Sequence, residues 1–259
     1  MSARHVALKL AYDGTAFSGF QRQPGLRTVQ GVLEEALARL TKEACPVKGA
    51  GRTDAGVHAE GQVVSFRTIS SIPTSRLVPA LNGLLPPDVA VLAAAEVPEQ
   101  FHPRYDAVSK VYRYTFFRRA VRCPLTRFYA LHVPEPLDVE RMREAAAYLV
   151  GRHDFRAFQN TGRPVTSSVR TVFSCRLEEA GPFLYLWIEA DGFLYQMVRI
   201  IAGTLLEIGK GRFSSEVVKR ALVEGRRELL GPTAPPHGLC LMRVRYPRDP
   251  FGEDDAPCR

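Results

Sequence analysis

The apolar residues of the chain follow two periodicities, one typical of strands and one typical of helices. Val6–Tyr12 alternates weakly and runs into Asp13 and Gly14, which predicts a strand followed by a turn. After Thr28, apolar residues recur at the spacing of one face of an amphipathic helix. The members of this stripe are Val29, Val32, Leu33, Ala36, Leu37 and Leu40.

The same two patterns continue along the rest of the chain. Strands are predicted at Pro46–Ala50, Gln62–Phe66, Val89–Ala95, Val111–Phe117, Val169–Leu177, Phe183–Ala190 and Cys240–Tyr246. Helices are predicted over Pro73–Leu84, after an N-cap at Asp138, over Leu194–Ile208 and from Ser214 onwards. Strands mixed with helices, including one hairpin, favour an α+β fold with an antiparallel or mixed sheet.

A change in character near residue 105 divides the chain into two predicted domains. Residues 1–105 and residues 106–247 each read as an α/β domain, because both contain strands interleaved with amphipathic helices. The two parts share this order of elements but no sequence repeat. Residues 248–259 form a short polar tail, acidic at Glu253–Asp255, which we expect to be loose.

The formal net charge of +8 favours a polyanionic partner. Nucleic acid, an anionic membrane and a phosphorylated substrate all suit such a field, and a basic surface without a partner is the alternative. The charge is concentrated between Arg104 and Arg127, where seven basic residues are opposed by Asp106 alone. This block lies at the start of the second predicted domain.

The cysteines and the apolar runs argue against several classes of protein. The five cysteines are odd in number and widely spaced, without a Cys-x-x-Cys pair, so we expect reduced thiols and no metal site. Met1–Val6 is not an apolar signal segment, and no run approaches the ~18 apolar residues of a membrane span. Motifs for nucleotide cofactors are also absent. These features predict a cytoplasmic protein that needs no cofactor and no membrane.

The segment Gly49–His58 is the strongest candidate for chemistry, because it sets one aspartate between glycines and beside an arginine. An ionised carboxylate such as Asp54 can act as nucleophile, general base or electrostatic stabiliser. Alternatively, Asp54 only caps the next element. Arg52 either holds a substrate phosphate or satisfies turn carbonyls, and His58 is either a proton shuttle or a hydrogen-bonding group within the turn.

Arg199 is a second candidate, on the predicted helix Leu194–Ile208. It lies off the apolar stripe of that helix, on the side shared with Gly203, which would permit a close neighbour there. A solvated arginine is one interpretation. The other is a buried arginine that meets Asp54, where each group would stabilise the charge of the other and the aspartate pKa would fall.

Tyr112 is a third candidate. Strand alternation places Tyr112, Tyr114 and Phe116 on one face of Val111–Phe117. Such residues form core in most strands. However, this strand lies inside the basic block, and aromatic rings interleaved with basic groups can stack on bases while the cations hold phosphates.

Together, these motifs resemble the TruA family of tRNA pseudouridine synthases. The likeness rests on Gly51–His58, on the tyrosine motif Lys110–Tyr114, and on the arginine motif Phe193–Arg199 with Gly203. It extends from Tyr12 to Leu239, with the motifs in the family order.

The resemblance implies an isomerase without a cofactor that converts uridine to pseudouridine in the tRNA anticodon stem-loop, at tRNA positions 38, 39 and 40. It implies that Asp54 is the catalytic carboxylate, that Tyr112 stacks on the target base and that Arg199 pairs with Asp54. The implied fold has two α/β domains with a shared, mostly antiparallel mixed sheet flanked by helices. The implied assembly is a homodimer whose basic cleft spans both subunits and takes the tRNA.

Two other classes of function remain open from the residues alone. An RNA-binding module without catalysis would need the basic, aromatic-rich middle of the chain but no reactive aspartate. A hydrolase acting on a phosphorylated substrate could use Asp54, although the second carboxylate or metal cluster that it would need is not evident in the sequence.

Overall fold

The computed structural model describes residues 3–160, 162 and 166–252, and these fall into two compact units. The first unit takes in the chain up to Val108 and again from Leu241, and the second is Ser109–Cys240. The sequence interpretation had divided the chain at 105 and kept the last strand in the second domain. The last strand returns to the first unit because its residue Met242 packs its carbonyl against Gly61, where an added Cβ would lie 2.3 Å from that oxygen.

The first unit is an antiparallel sheet with two helices. Its strands are β1 (Arg4–Tyr12), β2 (Lys48–Gly49), β3 (His58–Thr68), β4 (Val89–Glu96) and, from Leu241 onwards, β10 (Leu239–Arg245). They lie in the order β4-β1-β3-β10, with β2 beside β3. The helices are α1 (Val29–Thr41) and α2 (Thr74–Asn82). The predicted opening of α1 is confirmed, because the Thr28 hydroxyl accepts a hydrogen bond from the Gly31 amide.

The second unit has the same general plan. Its strands are β5 (Ser109–Phe117), β6 (Leu131–His132), β7 (Gly151–Asp154), β8 (Val169–Ala180) and β9 (Phe183–Ala190). Its helices are α3 (Val139–Ala147), α4 (Met197–Gly209) and α5 (Val217–Glu224). The order β5-β9-β8-β7 is antiparallel, and β6 pairs with β5 in parallel. The predicted fold class, α+β with a mostly antiparallel mixed sheet and flanking helices, is confirmed.

Several element boundaries differ from the sequence predictions, and β3 begins at His58 rather than at Gln62. The strand predicted at Pro46–Ala50 shrinks to the two residues of β2. Helix α4 begins at Met197 rather than at Leu194, because Gln196 has a left-handed backbone with φ of 61° that interrupts the helical path. Strand β8 runs on to Ala180 rather than ending at Leu177, so the connection to β9 contracts to the two residues Gly181 and Pro182. The short strands β6 and β7 were not predicted, since so few residues carry no periodic signal.

Two further expectations concern the C-terminal tail and the absence of membrane spans. The acidic residues Glu253–Asp255 of the predicted tail lie outside the described residues, and just before them the chain turns at Pro250 and Phe251. Among the helices of the described part, none is long and apolar enough to cross a membrane.

Candidate active site

Asp54 lies in the turn that joins β2 to β3 in the first unit, and its side chain is half-buried. The amide of Val57 donates to the Asp54 carbonyl at 3.2 Å, which closes the turn. Gly56 has a φ of +77°, a conformation that favours glycine. The turn geometry therefore depends on the glycine that the sequence places two residues after the aspartate.

The loop after β1 fixes this turn from one side. The Phe20 amide donates to the Thr53 carbonyl at 3.1 Å, and the Gly56 amide donates to the Phe17 carbonyl at 3.4 Å. Gly19 has a φ of +94°, and a Cβ added to it would lie 2.9 Å from the Thr53 oxygen. Close approach of these two backbones thus requires glycine at position 19.

Buried polar side chains fix the turn from the other side. The Tyr12 and Thr53 hydroxyl groups lie 2.8 Å apart in the interior and share a hydrogen bond. The Gln62 amide group, which is fully buried, donates to the Gly51 carbonyl at 2.9 Å. The residues on both sides of Asp54 are therefore held by hydrogen bonds, and a carboxylate on such a backbone is oriented before any ligand arrives.

His58 begins β3 and is buried. Its Nδ1 accepts a hydrogen bond from the Gly14 amide at 3.0 Å, so the partner lies in the preceding loop and not within the turn. Asp13 Oδ1 is 3.2 Å from the same nitrogen. Because the Nδ1 lone pair receives the Gly14 amide, this nitrogen acts here as a structural acceptor that ties β3 to the loop after β1.

Arg52 is exposed on the same turn, two residues before Asp54. An exposed guanidinium with five donors suits a phosphate. Its predicted substrate contact stays a prediction.

Tyr112 lies in the second unit, on β5 opposite Ile188 of β9. Its ring packs edge to face on Phe193, with the ring centroids 5.0 Å apart, and the residue is buried. Tyr114 and Phe116, on the same strand face, are buried as well. Arg113 points the other way, because alternation turns it to the opposite face.

On that opposite face, Arg113 joins the aromatic side chains of β9. Its guanidinium carbon lies 5.3 Å from the Tyr185 ring centroid and 5.6 Å from that of Trp187. Arg176 of β8 lies 5.7 Å from the Trp187 ring centroid. Arg113 therefore stacks within the sheet, and the basic residues of the Arg104–Arg127 block do not act as one surface.

Arg199 lies in the first turn of α4 and is half-buried. Its Nε donates to the Ala234 carbonyl at 2.8 Å, and the Ala234 amide donates to the Arg199 carbonyl at 3.0 Å. One turn further on, a Cβ added to Gly203 would lie 1.8 Å from the Pro232 oxygen. The close neighbour that the sequence predicted beside Gly203 is therefore this backbone segment.

Tyr114 links β5 to the same segment. Its hydroxyl donates to the Pro235 carbonyl at 2.9 Å. Burial raises the pKa of Tyr114 above its ordinary value, and the nearby Arg199 guanidinium partly opposes that shift. The hydroxyl thus stays protonated and available as a donor.

Replacing Tyr114 with phenylalanine is expected to destabilise the protein by about 1–3 kcal/mol, because the Pro235 carbonyl loses its buried donor. Urea unfolding followed by circular dichroism measures the change. Tyr148→Phe is the matched control, since the Tyr148 hydroxyl lies at the surface, 2.8 Å from a Glu144 oxygen and 3.1 Å from a Glu216 oxygen. The control is expected to change stability by less than about 0.5 kcal/mol. Equal losses in both variants would contradict the role of the Pro235 contact.

The sequence interpretation missed the residues that hold these groups in place. Tyr12 and Gln62 read as ordinary strand residues, since nothing local indicates that their polar atoms face the turn. Gly231–Pro236, in contrast, is rich in glycine and proline, and that composition together with Gly203 was a signal for a rigid segment packed close to a helix.

Comparison with known proteins identifies the same family that the sequence motifs resemble. A family model described as tRNA pseudouridine synthase matches residues 9–106 and 145–247. The chain is 50% identical over 243 residues to the tRNA pseudouridine synthase A of Moorella thermoacetica, covering 93% of this chain and 99% of that protein. It is 49% identical over 245 residues to the enzyme of that name from Geobacter sp. strain M21, covering 94% and 99%. The corresponding protein of Syntrophomonas wolfei is 48% identical over 244 residues, with 94% and 98% covered.

Proposed function

Since the chain belongs to the tRNA pseudouridine synthase family and isomerises uridine in tRNA to pseudouridine, we propose that the Asp54 carboxylate is its catalytic group. The observation that carries this proposal is the turn around Asp54. Its backbone is held on one side by the loop after β1 and on the other by buried hydrogen bonds of Tyr12 and Gln62. A turn that served only as a connection would not need this constraint.

The reaction itself explains why a carboxylate suffices. The bond between the ribose C1′ and the uracil N1 breaks, the base rotates, and a bond forms between C1′ and C5. The C5 proton is lost to solvent and N1 gains a proton, so atoms balance and no electrons are transferred. Asp54 can assist by adding to the sugar or the base, or by abstracting a sugar proton.

Tyr112 and Arg199 are proposed as the other site residues. The resemblance of the Lys110–Tyr114 motif supports stacking of Tyr112 on the target base. The family motifs support a pairing of Arg199 with Asp54, which would favour the ionised carboxylate and lower its pKa. Arg52 is proposed as a contact to a substrate phosphate.

The proposed target lies in the anticodon stem-loop, at tRNA positions 38, 39 and 40. The support is the resemblance of the Gly51–His58, Lys110–Tyr114 and Phe193–Arg199 motifs. A paired stem nucleotide must leave the stack before it can reach a carboxylate, at a cost of a few kcal/mol. Base stacking on Tyr112 and phosphate contacts elsewhere would offset that cost.

The phosphate contacts are proposed for the loop between β5 and β6. Within the basic block, Arg118 already pairs with Glu179 at 2.7 Å. Arg119 and Arg122 are exposed and have no carboxylate partner among the described residues. Arg127 stacks on the exposed Phe128, 4.0 Å from its ring centroid. Exposed cations beside an aromatic ring are suited to a single-stranded RNA loop or to a duplex backbone.

Reversing the charges of Arg119 and Arg122 to glutamate is expected to weaken tRNA binding by about tenfold or more at moderate salt. Each phosphate contact that is lost also lowers the salt dependence of log Kd by roughly 0.7–0.9. Fluorescence anisotropy with labelled tRNA at several salt concentrations measures both effects. Arg212→Glu with Arg220→Glu is the matched control, because it changes the net charge equally at two other exposed arginines. An equal loss in the control would show that net charge alone governs binding.

The decisive assay for the reaction uses tRNA with tritium at uridine C5. Release of tritium by the wild-type protein distinguishes the isomerase from a binding module and from a phosphate hydrolase, neither of which removes the C5 proton. Binding without release from any tRNA would favour the binding module. Mapping the pseudouridines in the product then tests positions 38, 39 and 40.

The assembly and the compartment also belong to the proposal. The family resemblance supports a homodimer with a basic cleft that spans both subunits, and sedimentation of the purified protein tests the dimer. The five cysteines are odd in number and widely spaced, as expected for reduced thiols, which supports a cytoplasmic enzyme.

A further inference from the structure

In the second unit, residues Leu230–Ala234 form a backbone segment, the strap, that lies along α4. The Gly231 amide donates to the Thr204 hydroxyl at 3.1 Å. The Pro232 carbonyl occupies the space beside Gly203, where no Cβ is present. The strap therefore packs directly against one side of α4, so a displacement of either segment would displace the other.

The strap ends on Arg199. As described above, Ala234 accepts a hydrogen bond from the Arg199 side chain and donates one to its backbone. The Nε of Arg199 is therefore committed to the strap. Because the Ala234 carbonyl holds the Arg199 Nε, the position of Ala234 orients the two terminal nitrogens of the Arg199 guanidinium.

Arg227 holds the strap from outside the helix. Its Nη1 donates to the Gly231 carbonyl at 2.9 Å and to the Leu230 carbonyl at 3.3 Å, and its Nη2 donates to the Thr233 hydroxyl at 3.4 Å. Arg227 is half-buried, and no carboxylate lies within ion-pairing distance in the part of the chain that is described. Burial lowers its pKa below the ordinary value. Because the Arg227 guanidinium is partly desolvated and its hydrogen bonds go only to neutral oxygens, its main contribution is to orient the groups it binds rather than to form an ion pair.

Asn160 connects this arrangement to the start of α4. Its side-chain amide donates to the Thr233 hydroxyl at 3.1 Å and also to the side chain of Gln196. Its Oδ1 accepts from Arg227 Nε at 3.4 Å. Gln196 is the left-handed residue directly before α4. Arg227 thus reaches both the strap and, through Asn160, the helix turn that carries Arg199.

We propose that Arg227 is a positioning residue for Arg199, acting through the strap and Asn160. The inference rests on the proposed role of Arg199 in catalysis. The planar fork of a guanidinium can serve the strap carbonyls and the Asn160 oxygen at once, whereas lysine offers a single ammonium. A small displacement of a catalytic group can cost about 100-fold in rate.

Arg227→Met is expected to lower kcat for tritium release by roughly 10–100-fold, with KM and the Kd for tRNA changed less than about threefold. Arg227→Lys is expected to recover only part of kcat. In the Arg199→Ala background, Arg227→Met is expected to cause little further loss, because nothing is left to position. Arg143→Met is the matched control, a half-buried arginine on α3 bound to Glu179, and is expected to leave kcat unchanged.

Hydrogen exchange provides a readout that does not depend on activity. In Arg227→Met, the Gly231 and Ala234 amides are expected to exchange at least about tenfold faster, with α3 unchanged. If the Met variant does not fold, the Lys variant carries the same measurements. Unchanged kcat, losses that multiply in the double variant, or unchanged exchange at Ala234 would each overturn the proposal. Absence of tritium release by the wild type would instead refute the proposed function, and exchange would still test the strap.

Discussion

Asp54→Asn is expected to lower the rate of tritium release from C5-labelled tRNA by about 10²–10⁴-fold. Asparagine has nearly the same shape as aspartate but cannot act as a base or as a nucleophilic carboxylate. The hydrogen bonds that fix the turn come from backbone groups, Tyr12 and Gln62, so the fold is expected to persist. Binding of tRNA is expected to stay within a few-fold of wild type, since the proposed phosphate contacts are made by arginines and not by Asp54.

Single-turnover release with excess enzyme measures this loss without interference from product dissociation. Asp138→Asn is the matched control, because Asp138 caps α3 through the Arg141 amide and asparagine caps a helix equally well. The control is expected to release tritium at the wild-type rate. Substantial release by Asp54→Asn, in protein free of wild type, would refute the assignment of the catalytic carboxylate.

Gly203→Ala is expected to be strongly destabilising, although helix propensity alone predicts the opposite. Alanine in a helix interior is usually better than glycine by about 1 kcal/mol. Here the new Cβ would lie 1.8 Å from the Pro232 oxygen, a backbone atom that cannot rotate away. The strap must therefore move, and overpacking of this kind costs about 1–3 kcal/mol or more. Since Arg199 is hydrogen-bonded to the strap, the turnover rate is expected to fall as well.

Urea unfolding of Gly203→Ala and Gly209→Ala separates the strap contact from a general effect of glycine in α4. At Gly209 the added Cβ meets the end of the flexible Met142 side chain, which can rearrange. That variant is expected to remain within about 1 kcal/mol of wild type and to keep its activity. A Gly203→Ala protein as stable as wild type would contradict the close packing of the strap.

Local patterns predicted most of the secondary structure. The β9 boundaries were correct at both ends, and the caps at Thr28 and Asp138 were correct because a capping side chain acts on its own helix. The start of α4 was wrong by three residues. Apolar periodicity continued through Leu194, but Gln196 has a left-handed backbone, and its side chain is held by Asn160, which is remote in sequence.

For the candidate site as well, some features could be predicted from the sequence and others only from the structure. Residue types and spacing made Asp54, Tyr112 and Arg199 candidates, each with a structural alternative, and the family resemblance joined them into one predicted site. Their roles stay predictions. The sequence could not indicate that Tyr12 and Gln62 hold the Asp54 turn, or that Arg113 is committed to Trp187 and Tyr185.

The sequence by itself therefore determined most of the elements, the α+β class and the turn that carries Asp54, since each depends on neighbours along the chain. Only the tertiary structure decided that the last strand returns to the first unit, that the strap fills the space beside Gly203, and that Arg199 is bound to Ala234. The physical reason is the range of the interactions. Periodicity and capping act between residues a few positions apart, so they can be recognised in the sequence. The contacts named here join segments that are far apart in the sequence, and no local pattern indicates which distant segments meet.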